Sequence, residues 1–304
     1  MPKVVIINLA SRSDRKFYLE QSGFSSSSTS PLKVDEIIWI EATDGKKLPQ
    51  DESGAAKAPD GLQVFPGWQL NYDEINAVEA EWQRLNYEGM GRAELCRYYG
   101  RDVSRSEIGC FHSHWRAWQI AADESLDQDE YTIILEDDAC VSTMPLWDGS
   151  LHSARWKKIL SLVDEEIDSL VEKRIAWDII LLGRNQFGDD GNLVTENLRE
   201  AGFSSCMHAY VVSKRGAEKL SRLDTVMPAD DIVPALFHKA IHPRKDVQAF
   251  VNSLDADVKL NAYAFEEDLV VQLKTLFLSL DEEEWMSWHV SGAKLGLQPL
   301  HLLC

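Results

Sequence analysis

Five short apolar runs rich in β-branched residues punctuate the chain, and stretches of helical periodicity lie between them. The runs are Val4 to Leu9, Ile37 to Ile40, Tyr131 to Glu136, Trp177 to Leu182 and the segment 207–213. Their length and their turn-forming boundaries predict strands buried in the interior of a sheet. Helices are expected at 107–122, at 152–174 and at 214–223. In the second, Trp156, Ile159, Leu160, Val163, Ile167, Leu170 and Val171 recur at helical spacing; Ser213 opens the third. A Pro-bounded segment follows at 228–243. This alternation predicts an α/β domain with a central, mostly parallel sheet. Residues 46–106 interrupt the pattern with Gly, Pro, charge and aromatics, and read as an irregular excursion with one helix near Asp73–Leu85. Ser25 to Ser30 reads as a serine-rich turn or loose loop.

Charge narrows the function classes. The 31 basic and 50 acidic residues leave a net charge of −19 over 304 residues. Such a surface repels phosphate backbones and anionic lipid heads, which argues against nucleic-acid and membrane-surface partners. No apolar stretch approaches the ~18 residues needed to span a bilayer. The first residues are strand-like and lack the basic start and cleavage site of a signal peptide. The five cysteines form no CxxC pair, and no Asn-x-Ser/Thr sequon occurs. Together these predict a cytoplasmic protein or a soluble catalytic piece in a reducing compartment.

Glu136-Asp137-Asp138 closes the third strand run, and ligands of open α/β sheets gather at the carboxyl ends of strands. Three adjacent carboxylates repel one another unless a cation sits among them, and hard oxygen ligands suit Mg²⁺ or Mn²⁺. Glu136 and Asp138 point the same way if strand geometry continues, so they are the favoured pair for one ion. The alternative is an acidic turn on an acidic protein. His112 and His114 sit on different faces of a helix and do not have the i,i+4 spacing of a zinc helix, so each reads locally as a core or capping residue. Asp230-Asp231, between Pro228 and Pro234, is either a rigid loop carrying a general base or a helix start where acids favour the dipole.

In order along the chain, several pieces resemble glycosyltransferase family 25. They are Val5 to Leu9 with Arg12 and Asp14-Arg15; Glu41 to Gly45; Tyr99-Gly100-Arg101; Ser106 to Phe111 with Ser113-His114; and Leu135 to Asp138. Trp177 to Ile179 with Leu182 to Arg184, Ala209 to Ser213 with Gly216-Ala217 and Leu220, and Pro228 to Pro234 complete the set. Phe65 to Trp68, the Pro-Ala-Asp-Asp piece and Asn261 to Tyr263 look closer to the collagen galactosyltransferase branch than to the bacterial lipooligosaccharide branch. The resemblance implies a GT-A fold, a nucleotide-sugar-binding α/β sandwich, over residues 1–270, with 271–304 as a C-terminal helical tail. It implies a divalent metal, usually Mn²⁺, at Glu136, Asp137 and Asp138, and a UDP-sugar donor, UDP-galactose or UDP-glucose. Asn8, Leu9, Arg12 and Arg15 would meet the nucleotide, Thr43, Asp44 and Gly45 the uridine or ribose, and Ser113 and His114 the donor site. Arg184 is either a diphosphate ligand or a surface arginine.

The collagen branch attaches a β-linked sugar from an α-linked donor, so the resemblance implies inversion, with Asp230 or Asp231 as base. The acceptor would be hydroxylysine of a collagen-like protein or a glycan; the missing leader argues against collagen itself. An extra stretch near Glu74 to Cys96, with Trp82 and Tyr87, is either a sugar-stacking lid or a helix that packs or pairs subunits into a homo-oligomer; the packing role is favoured. Asp281 to Glu284 reads as a solvated face, and His242 or His289 would join a metal shell only by accident of folding. A glycoside hydrolase would have no use for the nucleotide-site pieces. A silent binding or adhesion member of the family is the competing class.

Overall fold

In the computed structural model, described for residues 2–272 apart from 26–31, 33, 53, 124–129, 142–148 and 206, β1 (Lys3–Asn8) lies between two parallel neighbours. These are β2 (Glu36–Glu41) and β3 (Tyr131–Glu136), in registers that set Asn8 beside Glu41 and Ile7 beside Glu136. The sheet continues through β4 (Ile179–Leu181), β5 (Leu198–Glu200), β6 (Ala209–Ser213) and β7 (Ala262–Phe265), in the spatial order β2-β1-β3-β6-β4-β7-β5. Only β6 and β5 run against the other five, so the sheet is mixed but mostly parallel. Each expected strand run therefore contributes to this sheet.

Side chains on successive strand residues leave by opposite faces. Val5, Ile7, Ile134, Ile179, Leu181, Tyr210 and Val212 enter one apolar core; Val4, Ile6, Ile133, Leu135, Ile180, Leu182 and Val211 enter the other. The first core is roofed by α4 (Arg105–Ala121), α6 (Lys214–Ser221) and α7 (Ala229–Ala235). The second is covered by α5 (Gly149–Glu172), which delivers Trp156, Ile159, Leu160 and Val163, and by α1 (Ser13–Gln21) through Leu19. The result is a three-layer α/β sandwich of the GT-A type.

The excursion at 46–106 is more ordered than its sequence suggests. Besides α2 (Tyr72–Arg84), it carries a second helix, α3 (Arg92–Tyr99). Asn71 accepts from the backbone N–H groups of Asp73 and Glu74 while Glu74 accepts from Asn71 N, a capping box legible in the sequence. Trp82 is buried against Tyr87, Phe187 and Phe203, and Tyr87 stacks on Phe203. These aromatics pack the insert onto the domain. The serine-rich loop and the tail beyond Gln272, with Asp281 to Glu284 and His289, lie outside the described residues. Among the described residues, no helix is long and apolar enough to cross a membrane.

Candidate active site

Because β1, β2 and β3 are parallel, their carboxyl ends open on one edge of the sheet, where a cavity of about 290 Å³ forms. Leu9, Arg12 and Arg15 line one side, Thr43 to Lys46 another, and Cys110, Ser113 and His114 of α4 a third. Glu136 and Asp137 complete the lining. Most of the residues expected to meet a nucleotide sugar are thus brought together by three strand ends and one helix. Asn8 is buried just beneath.

The three carboxylates have different employments. Asp137 Oδ2 accepts from Asn8 Nδ2 at 2.9 Å and from Leu9 N at 3.0 Å, and Asp137 Oδ1 accepts from Arg15 Nη1 at 2.7 Å. The same guanidinium lies 3.3 Å from Asp138 Oδ2. Asp137 therefore ties β1 and α1 to the end of β3. Glu136 turns the other way, toward α4, where His114 Nε2 lies 3.0 Å from its Oε1 and Cys110 Sγ 3.8 Å away. The two residues placed together by strand alternation, Glu136 and Asp138, have separate partners because the chain turns after Glu136.

Hydrogen-bond logic fixes the imidazole. Trp118 Nε1 can only donate, and it donates to the Tyr210 hydroxyl at 2.8 Å; Tyr210 in turn donates to His114 Nδ1 at 2.9 Å. The His114 Nε2 proton then points at Glu136. Burial raises the Glu136 pKa, but the His114 hydrogen bond and the positive potential of His114, His208 and Arg15 outweigh it and hold the carboxyl below its ordinary range. His114 thus belongs to the site, not to an apolar core. His112 leaves by another face and contacts Thr43 Oγ1 at 2.6 Å and Asp60 at 2.9 Å.

Thr43, Asp44 and Gly45 are shaped by their contact with α4. Ser113 Oγ accepts from Thr43 N at 2.9 Å and donates to Gly109 O at 2.6 Å, so its hydroxyl pins this loop. Gly45 and Gly109 permit the approach: a Cβ on Gly109 would sit 2.4 Å from Thr43 O, and one on Gly45 2.2 Å from Arg105 O. Asp44 caps the short turn that follows by accepting from Lys46 N.

The two aspartates of α7 separate cleanly. Asp231 is buried and accepts from Tyr98, from Tyr99 at 3.1 Å and from His242 Nε2 at 2.8 Å. His242 Nδ1 accepts from Arg244 N, and the fully buried Arg244 donates to Trp68 O and lies over the Trp68 ring. This network joins α7 to the insert. Asp230, only partly buried, accepts from Met207 N at 2.9 Å. Burial and the negative charge of Glu136 push its pKa up to about 6, against the opposing pull of the Met207 N–H and His114.

Arg184 lies apart from the cavity. Its guanidinium pairs with Asp190 through both Nη atoms and its backbone N donates to Asp268, beside a separate cavity of about 440 Å³ lined by Phe187, Phe265 and Glu266. His242, weighed as an accidental metal ligand, serves Asp231 instead. Tyr99 and Tyr210 stand in segments that carry the family resemblance, but local sequence gives no sign of Tyr98 or Arg244 as supports of the site. The i,i+4 relation of Cys110 to His114 puts both on one face of α4.

The acidic triplet offers hard oxygen donors of the kind that Mn²⁺ or Mg²⁺ takes, but Asp137 and Asp138 face Arg15 while Glu136 faces His114, so the three do not converge on one point as placed here.

Comparison with known proteins places this geometry. The chain is 25% identical over 275 residues to human (Homo sapiens) procollagen galactosyltransferase 2, covering 88% of this chain and 34% of that protein. Procollagen galactosyltransferase 1 of Danio rerio is also 25% identical, with 82% of this chain and 34% of the relative covered. The probable inactive glycosyltransferase 25 family member 3 of Bos taurus is equally similar at 25%, over 81% and 33%. The chain spans about a third of the length of these relatives. Residues 1–233 match the profile of Glycosyltransferase family 25 (LPS biosynthesis protein), and with three-quarters of the chain inside that match, the protein belongs to glycosyltransferase family 25.

Proposed function

We propose that this chain is a metal-dependent, inverting glycosyltransferase that moves galactose, or glucose, from a UDP-sugar to an acceptor hydroxyl. The observation that carries this reading is the cavity where β1 and β3 end side by side, with the guanidinium groups of Arg12 and Arg15 beside carboxylates. A diphosphate needs cations and the reaction needs a base; Asp230, outside the cavity lining, is near enough to Glu136 and His114 for their charges to act on it. The base is Asp230, since Asp231 is committed to three donors. A carboxyl with a pKa near 6 is ionised at neutral pH yet takes a proton readily.

In the reaction, the acceptor oxygen attacks the anomeric carbon from the face opposite the diphosphate. The bond from that carbon to the diphosphate oxygen breaks, and the acceptor proton passes to Asp230. Attack from the opposite face inverts the anomeric centre. Arg12 and Arg15 lie where negative charge grows on the leaving group, though Arg12 is shared with Asp14 and Arg15 with Asp137 and Asp138. A divalent ion held by Asp137 and Asp138, with Glu136 turned back from His114 to join them, would supply further neutralisation of the departing diphosphate.

The names of the procollagen galactosyltransferase relatives support galactose as the sugar and a collagen-like protein as acceptor, with hydroxylysine the residue that the family resemblance implies; a glycan acceptor is the alternative. The deciding measurement is UDP release from a panel of UDP-sugars with Mn²⁺, with and without a hydroxylysine-containing peptide, for wild type and Asp138→Ala. Peptide-stimulated release from UDP-galactose, lost in the variant, is the expected result. Release without peptide stimulation would redirect the acceptor to glycans. No turnover of any donor would place the chain with the relatives named inactive, as a binding protein.

A further inference from the structure

Cys110 and His114 are four residues apart on α4, so their side chains share one face of a well-packed helix. Glu136, at the end of β3, meets that face. The Cys110 Sγ, His114 Nε2 and a Glu136 carboxylate oxygen all lie within 4.8 Å of one another. We propose that these three groups form a binding site for a borderline-soft divalent ion of the Zn²⁺ class, distinct in donor chemistry from the all-oxygen set of the acidic triplet.

The spacing matches the ion. Tetrahedral zinc with bonds of about 2.3 Å to sulfur and about 2.0 Å to nitrogen and oxygen separates S from O by about 3.5 Å and N from O by about 3.3 Å. The corresponding separations are 3.8 Å and 3.0 Å, each within a few tenths of an ångström of these, and the sulfur lies within 4.8 Å of the imidazole nitrogen. Thiolate, imidazole and carboxylate together select zinc over magnesium or manganese, because hard ions bind sulfur poorly. The supporting shell is present: Tyr210 and Trp118 fix the His114 ring through its far nitrogen. All three ligands line the cavity, which leaves the fourth position for water or a substrate oxygen.

Proton balance is simple. Without an ion, burial and the negative charges of Glu136 and Asp230 hold the Cys110 thiol protonated. Binding as thiolate releases that proton to solvent, and the imidazole proton moves to Nδ1, where the Tyr210 oxygen accepts it once that hydroxyl turns its own proton away. Glu136 is common to both donor sets, so occupancy by zinc withdraws it from the hard-ion set. On the transferase reading above, on which this consequence alone rests, zinc inhibits by competition for Glu136.

The test uses the full chain, stripped with chelator and titrated with Co²⁺ as a spectroscopic substitute for zinc. A thiolate-to-cobalt charge-transfer band in the near ultraviolet is expected, saturating at one ion per chain, displaced by Zn²⁺ and resistant to a large excess of Mg²⁺ or Mn²⁺. Cys110→Ser should abolish the band and weaken zinc binding by at least the roughly 100-fold that even an outer-shell partner can cost. Its unfolding midpoint, read by circular dichroism, should stay at the wild-type value; Cys96→Ser should keep the band. Absence of the band, its survival in Cys110→Ser, or the pale spectrum of a six-coordinate, all-oxygen ion would overturn the site. The transferase reading fails separately: if no donor is turned over but the band forms as expected, the zinc site stands without its inhibitory role.

Discussion

His242 Nε2 donates to Asp231 Oδ1 at 2.8 Å, and this contact between the loop after α7 and the helix itself decides which of two adjacent aspartates is available for chemistry. With Tyr98 and Tyr99 donating to the same carboxylate, Asp231 anchors α7 to the insert. Its neighbour Asp230 is left with one backbone donor and a raised pKa.

Asp230→Asn is expected to lower kcat by about 10²- to 10⁴-fold, the range for loss of a general base. The amide oxygen can still accept from Met207 N, so the fold is retained. A carboxyl raised from 3.8 to about 6 contributes stability that is fully present below pH 3.8 and lost as pH rises through about 6. The variant should therefore melt no lower than wild type at pH 7, with the comparison shifting toward wild type as pH falls toward 4. In wild type, kcat/KM should decline below about pH 6; a flat profile down to pH 5 would remove Asp230 from the role.

Asp231→Ala leaves His242, Tyr98 and Tyr99 without their shared acceptor inside the protein. A loss of about 3–5 kcal/mol in urea unfolding is expected, as for breaking a buried charged network. Asp231→Asn keeps one acceptor oxygen and should cost less. Equal effects of the two substitutions would show that the ionised carboxylate, not one acceptor oxygen or the filled volume, holds the network.

Arg15→Gln separates metal from nucleotide. Removing a cation that bridges Asp137 and Asp138 leaves the carboxylates more negative, so Mn²⁺ affinity should hold or rise. UDP affinity, which gains from the guanidinium, should fall by about tenfold, the equivalent of 1.4 kcal/mol. Calorimetric titration of each ligand checks the opposed directions; a parallel fall of both would place Arg15 in a purely structural role.

Gly109→Ala drives a methyl group into Thr43 O, a backbone atom that cannot swing aside. Destabilisation of about 1–3 kcal/mol is expected, the usual cost of overpacking, together with weakened donor binding as the Thr43 loop shifts. A thermal melt and a UDP titration measure the two effects.

Arg184→Ala should leave the donor KM unchanged while lowering the melting temperature, because the guanidinium serves Asp190 and not the cavity. A selective rise in donor KM would restore the diphosphate role that its position after a strand first suggested.

Local sequence was enough for β1, β2, β3, β4 and β6 and for one end of the site, whereas β5 and β7 lie outside the five apolar runs. Continuous apolar runs commit Val4 to Ile7 and Ile133 to Leu135 to a sheet covered on both faces, and the Ser213 side chain, accepting from Gly216 N, starts α6 where the sequence placed it. The carboxylate triplet was legible at a strand end because turn and strand signals are carried by neighbouring residues. The insert was harder: α3 is short and packs through Tyr98 and Tyr99 on Trp68, while the partners of Trp82 in α2, Phe187 and Phe203, lie in other segments.

What the sequence by itself determined is the alternation of strands and helices, and hence the edge at which acidic and basic side chains collect. What only the tertiary structure decided is the assignment of each charged group. Asp137 is spent on Asn8, 129 positions away, Asp231 on Tyr98, 133 positions away, and Glu136 on His114. Periodicity and capping act within a turn or two of the chain, whereas the state of a carboxylate depends on donors and burial supplied by distant segments. Two adjacent aspartates that are equivalent in sequence become an anchor and a base because folding surrounds one with donors and leaves the other a single backbone N–H.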